Sequence, residues 1–202
     1  MLVERFLREF LGAWPPTTER DVVVSPLRSQ PGWDGSVREL YGVGDGEGRW
    51  VLSVTAERAA APDPLAGIAL FGATFRWCER PVALEAAGRW VQADDPVVPD
   101  WLRPFGHEVL VELDDDGTYL AGVGIKRHLD SGWELSVGTE ERARGRGLAR
   151  RLVSTAAAYV LDHGAVALYL HADDNVASAK VAEASGFPDL GWRVLTVPGP
   201  GD

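Results

Sequence analysis

Ten residues, Arg142-Ala143-Arg144-Gly145-Arg146-Gly147-Leu148-Ala149-Arg150-Arg151, hold five of the chain's 20 lysines and arginines. The chain as a whole carries a formal net charge of −10. A basic cluster in such a background asks for an anion. A helix N-terminus exposes unpaired backbone N–H groups and the positive end of the helix dipole. Glycines at 145 and 147 let the backbone come close to a phosphate, and arginines add charge-assisted hydrogen bonds. At the start of a helix this combination makes a cradle for a pyrophosphate. The plainer alternative is a solvated basic helix start, against which the two glycines argue.

The type of phosphate loop can be narrowed. A nucleoside-triphosphate loop needs Gly-Lys-Ser/Thr, and the chain has none. A dinucleotide fingerprint needs a third glycine at position 150, where Arg150 stands. Other candidate groups read more simply. His171 lies beside Asp173 and Asp174 and could be a ligand or a base; a strand-end histidine with satisfied hydrogen bonds is the simpler reading. His107, His128 and His163 have no metal-ligand spacing with it. Asp114-Asp115-Asp116-Gly117 reads as a turn, since it lacks the alternating ligands and closing Glu of a calcium loop. Asp94-Asp95 reads as loop surface that could help bind an amine. Cys78, the one cysteine, reads as a small buried hydrophobe and not a nucleophile. Most of the eight tryptophans should be core, with a few lining an acceptor pocket.

The elements around the basic loop follow from periodicity. Trp133–Thr139 reads as a strand before it. A helix runs from about Gly147 to His163, with Gly164 placed to close it. Val166, Leu168 and Leu170 mark a buried strand, and Asp173-Asp174-Asn175 opens a second helix that ends at Gly186. Upstream, Glu108–Leu113 and Thr118–Lys126 flank the Asp-rich turn as a hairpin. Residues 79–106 carry four prolines and read as a connector with a short helical piece around Trp101. They suggest a division near residue 100. Before it, residues 2–14 form an amphipathic helix stopped by Pro15-Pro16. Residues 21–25, 37–43, 50–54 and 73–78 read as strands, and the Ala-rich stretch 56–70 as a helix. Residues 1–100 offer no chemical motif.

Composition bounds the class. With 46% hydrophobic residues among 202, a sizeable core can be buried. No run reaches the ~20 apolar residues of a membrane span, so no membrane partner is expected. The start Met1-Leu2-Val3-Glu4-Arg5 does not read as a signal peptide. With no internal disulfide available, a cytoplasmic setting is expected. The acidic balance argues against nucleic acid, including an RNA-binding role for the basic loop, and is compatible with a cationic amine.

Arg144-x-x-Gly147-x-Ala149 resembles the Gln/Arg-x-x-Gly-x-Gly/Ala motif of the GNAT superfamily of acetyl-CoA-dependent N-acyltransferases. Glu134-Leu135-Ser136-Val137-Gly138-Thr139 is similar to the strand that this superfamily pairs with pantetheine. Asn175-x-x-Ser178, followed after eight residues by Gly186-Phe187, resembles its Asn-x-x-Ala/Ser…Gly-Phe segment. The likeness covers about 107–195. It implies an α/β fold with a mixed, mainly antiparallel sheet flanked by helices, splayed near Val137. Residues 1–100 would add an extra N-terminal α+β segment, and 101–202 would be the acyl-CoA-binding core.

The resemblance also implies roles. Arg144, Gly145, Arg146, Gly147, Leu148 and Ala149 would hold the CoA pyrophosphate. Val137, Gly138 and Thr139 would present the strand edge to pantetheine, with an N–H near Val137 polarising the thioester carbonyl. Asn175 would contact pantetheine or an ordered water. Glu134 would be the general base, against the alternative of a solvated strand carboxylate. Many members place a Tyr seven residues after the Asn to protonate the leaving thiolate. That position is Ala182 here, so Ser178 or water would donate. The implied cosubstrate is acetyl-CoA, with no metal, and the acceptor an amine on a small molecule, a peptide or a protein N-terminus. A homodimer is compatible with all of this. The alternative function is a catalytically silent acyl-CoA-binding or regulatory module.

Overall fold

The computed structural model of the protein describes residues 1–198. The chain forms two compact units. The first contains Met1–Arg76, Leu170–Asp174 and the described residues from Asp189 on; the second contains Trp77–Tyr169 and Asn175–Pro188. The architecture is mixed α/β, with mostly antiparallel strand pairing and helices on the sheet faces.

In the first unit, α1 (Leu2–Leu11) buries Val3, Phe6, Leu7, Phe10 and Leu11, the i, i+3, i+4 stripe of the sequence. It stops at Gly12, not at the proline pair. Gly12 takes φ 92° and its N–H closes on the Arg8 carbonyl, a left-handed cap that Gly accepts at little cost. The strands are β1 (Arg20–Val24), β2 (Leu40–Gly44), β3 (Trp50–Val54), β4 (Phe71–Cys78, its last two residues in the second unit) and a short C-terminal strand, Arg193–Thr196. The last lies between β2 and β4, antiparallel to both, while β1 pairs with β3 in parallel. The Ala-rich stretch 56–70 departs from expectation. Only Ala56–Ala59 is helical (α2), because Pro62, Pro64 and Gly67 deny the donors and dihedrals a longer helix needs.

In the second unit, β5 (Arg89–Gln92), β6 (Glu108–Leu113), β7 (Tyr119–Leu129) and β8 (Gly132–Thr139) form an antiparallel run. Then β9 (Val166–His171) pairs with β8 in parallel. The C-terminal strand of the first unit is β10 in chain order. Helices α3 (Leu148–Asp162) and α4 (Val176–Ser185) share one core with the sheet. In it Leu110, Val123, Ile125 and Leu135 meet Leu152, Val153, Ala156, Ala157 and Phe187, all nearly inaccessible. The opposite face is covered by the segment after β5, where Val98 and Leu102 pack with Val91, Val109 and Val111. Gly138 belongs to that face: a Cβ there would lie 2.6 Å from the Trp101 ring, so the indole rests on bare backbone.

One irregularity positions everything that follows. Pairing between β8 and β9 runs from Gly132↔Val166 to Glu134↔Leu168 and stops. β8 nevertheless continues to Thr139 on its β7 side, through Thr139↔Ala121. The two parallel strands therefore fork after Glu134, leaving one edge of β8 from Leu135 onward without a partner in β9.

Candidate functional site

The basic loop closes over the mouth of this fork. After β8, a turn of 3-10 helix at Glu141–Ala143 leads into Arg144, and Gly147 is the N-cap of α3. Gly145 and Gly147 take φ 77° and 75°, left-handed values that an L side chain adopts only with strain. A Cβ on Gly145 would meet nothing within 4 Å, so its backbone faces open space. Loop, fork and the first turns of α4 enclose a cavity of about 930 Å³.

The sequence-predicted residues gather there. Val137, Gly138 and Thr139 line it from β8, Arg144 to Ala149 from the loop, and Asn175 and Ser178 from α4. The five arginines divide by task. Arg142 is tied to Asp114 at 2.9 Å and donates to the Tyr119 carbonyl at 3.0 Å, which fastens the loop to the β6–β7 turn. Arg151 pairs with Glu85 at 3.2 Å. Arg144, Arg146 and Arg150 line the cavity, joined by Lys180 of α4. No carboxylate is among the lining residues. Four cations and the N-terminus of α3 therefore set a positive potential in an acidic chain, suited to a multiply charged anion.

Asn175 does two things at once. Its Oδ1 accepts the Ser178 N–H at 3.0 Å, capping α4, and its side chain stands at the cavity wall. Ser178 turns its hydroxyl to Tyr169, whose O–H donates to Ser178 Oγ at 3.4 Å.

Glu134 stands elsewhere. Trp133 and Leu135 belong to the α3 core, with Val137 packed against it, so strand alternation turns Glu134 to the other face of the sheet. It is 6% exposed and does not line the cavity. Lys126 Nζ lies 2.9 Å from its Oε1, and its Oε2 is hydrogen-bonded to His128 Nε2 at 2.9 Å. Burial pushes the carboxyl up, but Lys126 and His128 together outweigh it and hold the group at about 2. Glu134 is thus a fixed carboxylate.

His171 is satisfied, as the simpler reading had it. Arg76 Nε donates to its Nε2 at 3.0 Å, so Nδ1 carries the proton and donates to the Ala172 carbonyl at 2.8 Å. Burial pushes the Cys78 thiol up to about 11. Among the described residues no group of three or more His, Cys, Asp or Glu could hold a metal ion. No helix among them is long and apolar enough to cross a membrane.

Two polar lining residues, Tyr169 and Lys180, belong to no motif of the sequence. The only local signal for Tyr169 is a phenol in the otherwise aliphatic run Val166–Leu170. Lys180 gives no signal beyond a cation on a short helix.

The fold is shared with known proteins. The chain's fold is similar to that of a crystal structure described as an acetyltransferase from the GNAT family of Novosphingobium aromaticivorans. That match has TM-score 0.52 and 22% identity, covering 68% of this chain and 68% of that one. It is also similar to a GNAT-family acetyltransferase from Colwellia psychrerythraea, with TM-score 0.50 and 14% identity, covering 80% of this chain and 65% of that one. The chain thus spans about two thirds of the length of each, and at these identities the likeness shows the fold. A comparison with curated proteins found no match. The model of the acetyltransferase (GNAT) family matches residues 73–187. This span is more than half of the chain and contains the fork, the loop and α4. The chain belongs to the GNAT acetyltransferase family.

Proposed function

We propose that the protein is an N-acetyltransferase that moves an acetyl group from acetyl-CoA to an amine by direct attack. The observation that carries this reading is the forked strand pair opening beneath a glycine–arginine loop, in a cavity with four cations and no carboxylate. Such a cavity suits a long ligand with a phosphorylated head and an amide-bearing arm. Arg144, Arg146, Arg150 and Lys180, with the N–H groups of residues 145–149, bind the pyrophosphate. The unpartnered β8 edge at Val137–Thr139 hydrogen-bonds the pantetheine amides as an added strand would. An N–H near Val137 holds the developing oxyanion.

The thioester supplies an activated acyl group with a good leaving atom. The amine must lose a proton to attack, since an alkylammonium has pKa ~10.4. In this reading Glu134 serves the base. A carboxylate held at about 2 is a weak proton acceptor, so it works through His128, whose imidazole it is hydrogen-bonded to and orients. The acceptor is a small-molecule amine or a peptide N-terminus, reached from the sheet face that carries Glu134. A second reading, acyl-CoA binding without turnover, draws on Ala182, which offers no proton donor.

Isothermal titration with acetyl-CoA and with CoA tests the reading. Micromolar affinity, followed by thiol release on adding a panel of primary amines, is the expected result. Absence of binding by both ligands would sink it. Binding with no thiol release from any amine would favour the silent module.

A further inference from the structure

We propose that Tyr169 is the acid that protonates the departing thiolate, an assignment that rests on the acyl-CoA reading above. Aminolysis of a thioester forms a C–N bond and breaks the C–S bond, and the C–S electron pair leaves on sulfur. The amine loses one proton and the sulfur gains one. A group in the cavity that can lend that proton speeds C–S cleavage.

The side chains that line the cavity narrow the choice. The guanidinium groups of Arg144, Arg146 and Arg150 do not give up protons in a protein, and Lys180 sits exposed at the phosphate end. Thr139 and Ser178 carry hydroxyls far weaker as acids than a phenol. Tyr169 carries a phenol, an intrinsically stronger acid than either alcohol, and it lines the same cavity.

Position agrees with acidity. Leu168 is the last residue of β9 paired with β8, and Tyr169 follows it at the apex of the fork. An arm that starts at the loop and runs along the β8 edge brings its far end, the thioester, to that apex. The ring is held there: Tyr169 is 2% exposed and stacks at a tilt against Phe187, with centroids 5.7 Å apart. Ala182 belongs to the same buried core. The hydroxyl donates to Ser178 Oγ at 3.4 Å, a long bond at the limit of hydrogen-bonding distance. Tyr169 O–H gives its proton to sulfur. The phenolate then recovers one from solvent, passed through the Ser178 hydroxyl.

Tyr169→Phe removes the proton and keeps the ring. The expected result is a fall in kcat of about 10²-fold or more, with acetyl-CoA affinity and Tm near the wild-type values. The alkaline fall in the wild-type kcat profile should be absent from the variant. A readout independent of any amine is the thiol pKa of bound CoA, followed by thiolate absorbance. A phenol pointing at sulfur stabilises the thiolate, so Tyr169→Phe should raise that pKa. An unchanged thiol pKa, or a variant with wild-type kcat across the pH range, overturns the assignment while leaving the acyl-CoA reading intact. Failure of the wild-type protein to bind CoA would overturn both.

Discussion

The ammonium of Lys126 lies 2.9 Å from Oε1 of Glu134, with the two side chains only 10% and 8% exposed. The pair spans the β7–β8 register, where Lys126 sits opposite Glu134. Glu134 is held at about 2 against an ordinary 4.5, burial being outweighed by Lys126 and His128. A carboxyl whose folded pKa is depressed binds fewer protons native than unfolded. Its contribution to stability is therefore complete above pH about 4.5 and is lost as pH falls toward about 2. Glu134→Gln should flatten the acid limb of Tm against pH in that window. At neutral pH it should cost about 3–5 kcal/mol, because Lys126 then faces an uncharged amide. Thermal melts from acid to neutral pH check both. An acid limb as steep as wild type would show that other carboxylates carry it.

The arginines of the loop should separate in binding assays. Arg144→Glu places a negative charge on the cavity wall and should weaken CoA at least tenfold, with a shallower dependence of affinity on salt. Arg142→Gln, which cuts the tie to Asp114 outside the cavity, should alter affinity by less than threefold. Titration at two salt concentrations decides. Equal losses in both variants would mean that charge near the loop matters and position does not.

Gly147 offers a sharper test of the loop. At φ 75°, with an added Cβ 3.0 Å from Arg150 Nε, alanine should cost about 1–2 kcal/mol of stability from backbone strain alone. Gly147→Glu adds negative charge where the pyrophosphate would sit and should abolish CoA binding. Calorimetry on both variants distinguishes strain from charge. Wild-type affinity in Gly147→Glu would refute the loop's role.

Cys78 should be inert in the native state. Its thiol is buried and pushed up to about 11, so the reactive thiolate is scarce at pH 8. Alkylation should be at least tenfold slower than in denaturant, with unchanged activity after brief treatment. Fast labelling of the folded protein would reveal local opening around the end of β4.

The legible parts of this chain are those where chemistry dictates composition. The proposed phosphate cradle needs glycine and arginine at a helix start, and the run Arg142–Arg151 shows both without any tertiary information. The α4 cap was legible for the same reason, since Asn at a helix start has one dominant use. Short strands fared worse. β5 is four residues inside the proline-bearing stretch 79–106, and its hydrogen bonds come from β6 across an intervening loop. β10 is equally short and depends on β2 and β4, more than a hundred residues away in sequence. Alanine content suggested a helix over 56–70, where two prolines and a glycine prevailed. Tyr169 was invisible because no local pattern says that a strand phenol reaches the first turn of the next helix. Glu134 was visible as a carboxylate, but its clamping by Lys126 depends on a register that passes through an irregularity near Arg127.

The fork between β8 and β9 has a bearing on how the molecule behaves without its ligand. Amide groups along the open edge of β8 are left to water, at a place where sheets ordinarily satisfy their own backbone. A bound arm that lends its carbonyls and N–H groups there acts as a temporary rung of the sheet. Exchange of backbone hydrogens along Leu135–Thr139 should then report occupancy, slowing with each increment of bound ligand. Under the proposed acyl-CoA function, the cell's supply of thioester would set not only how fast this protein works but how tightly its central strands hold together.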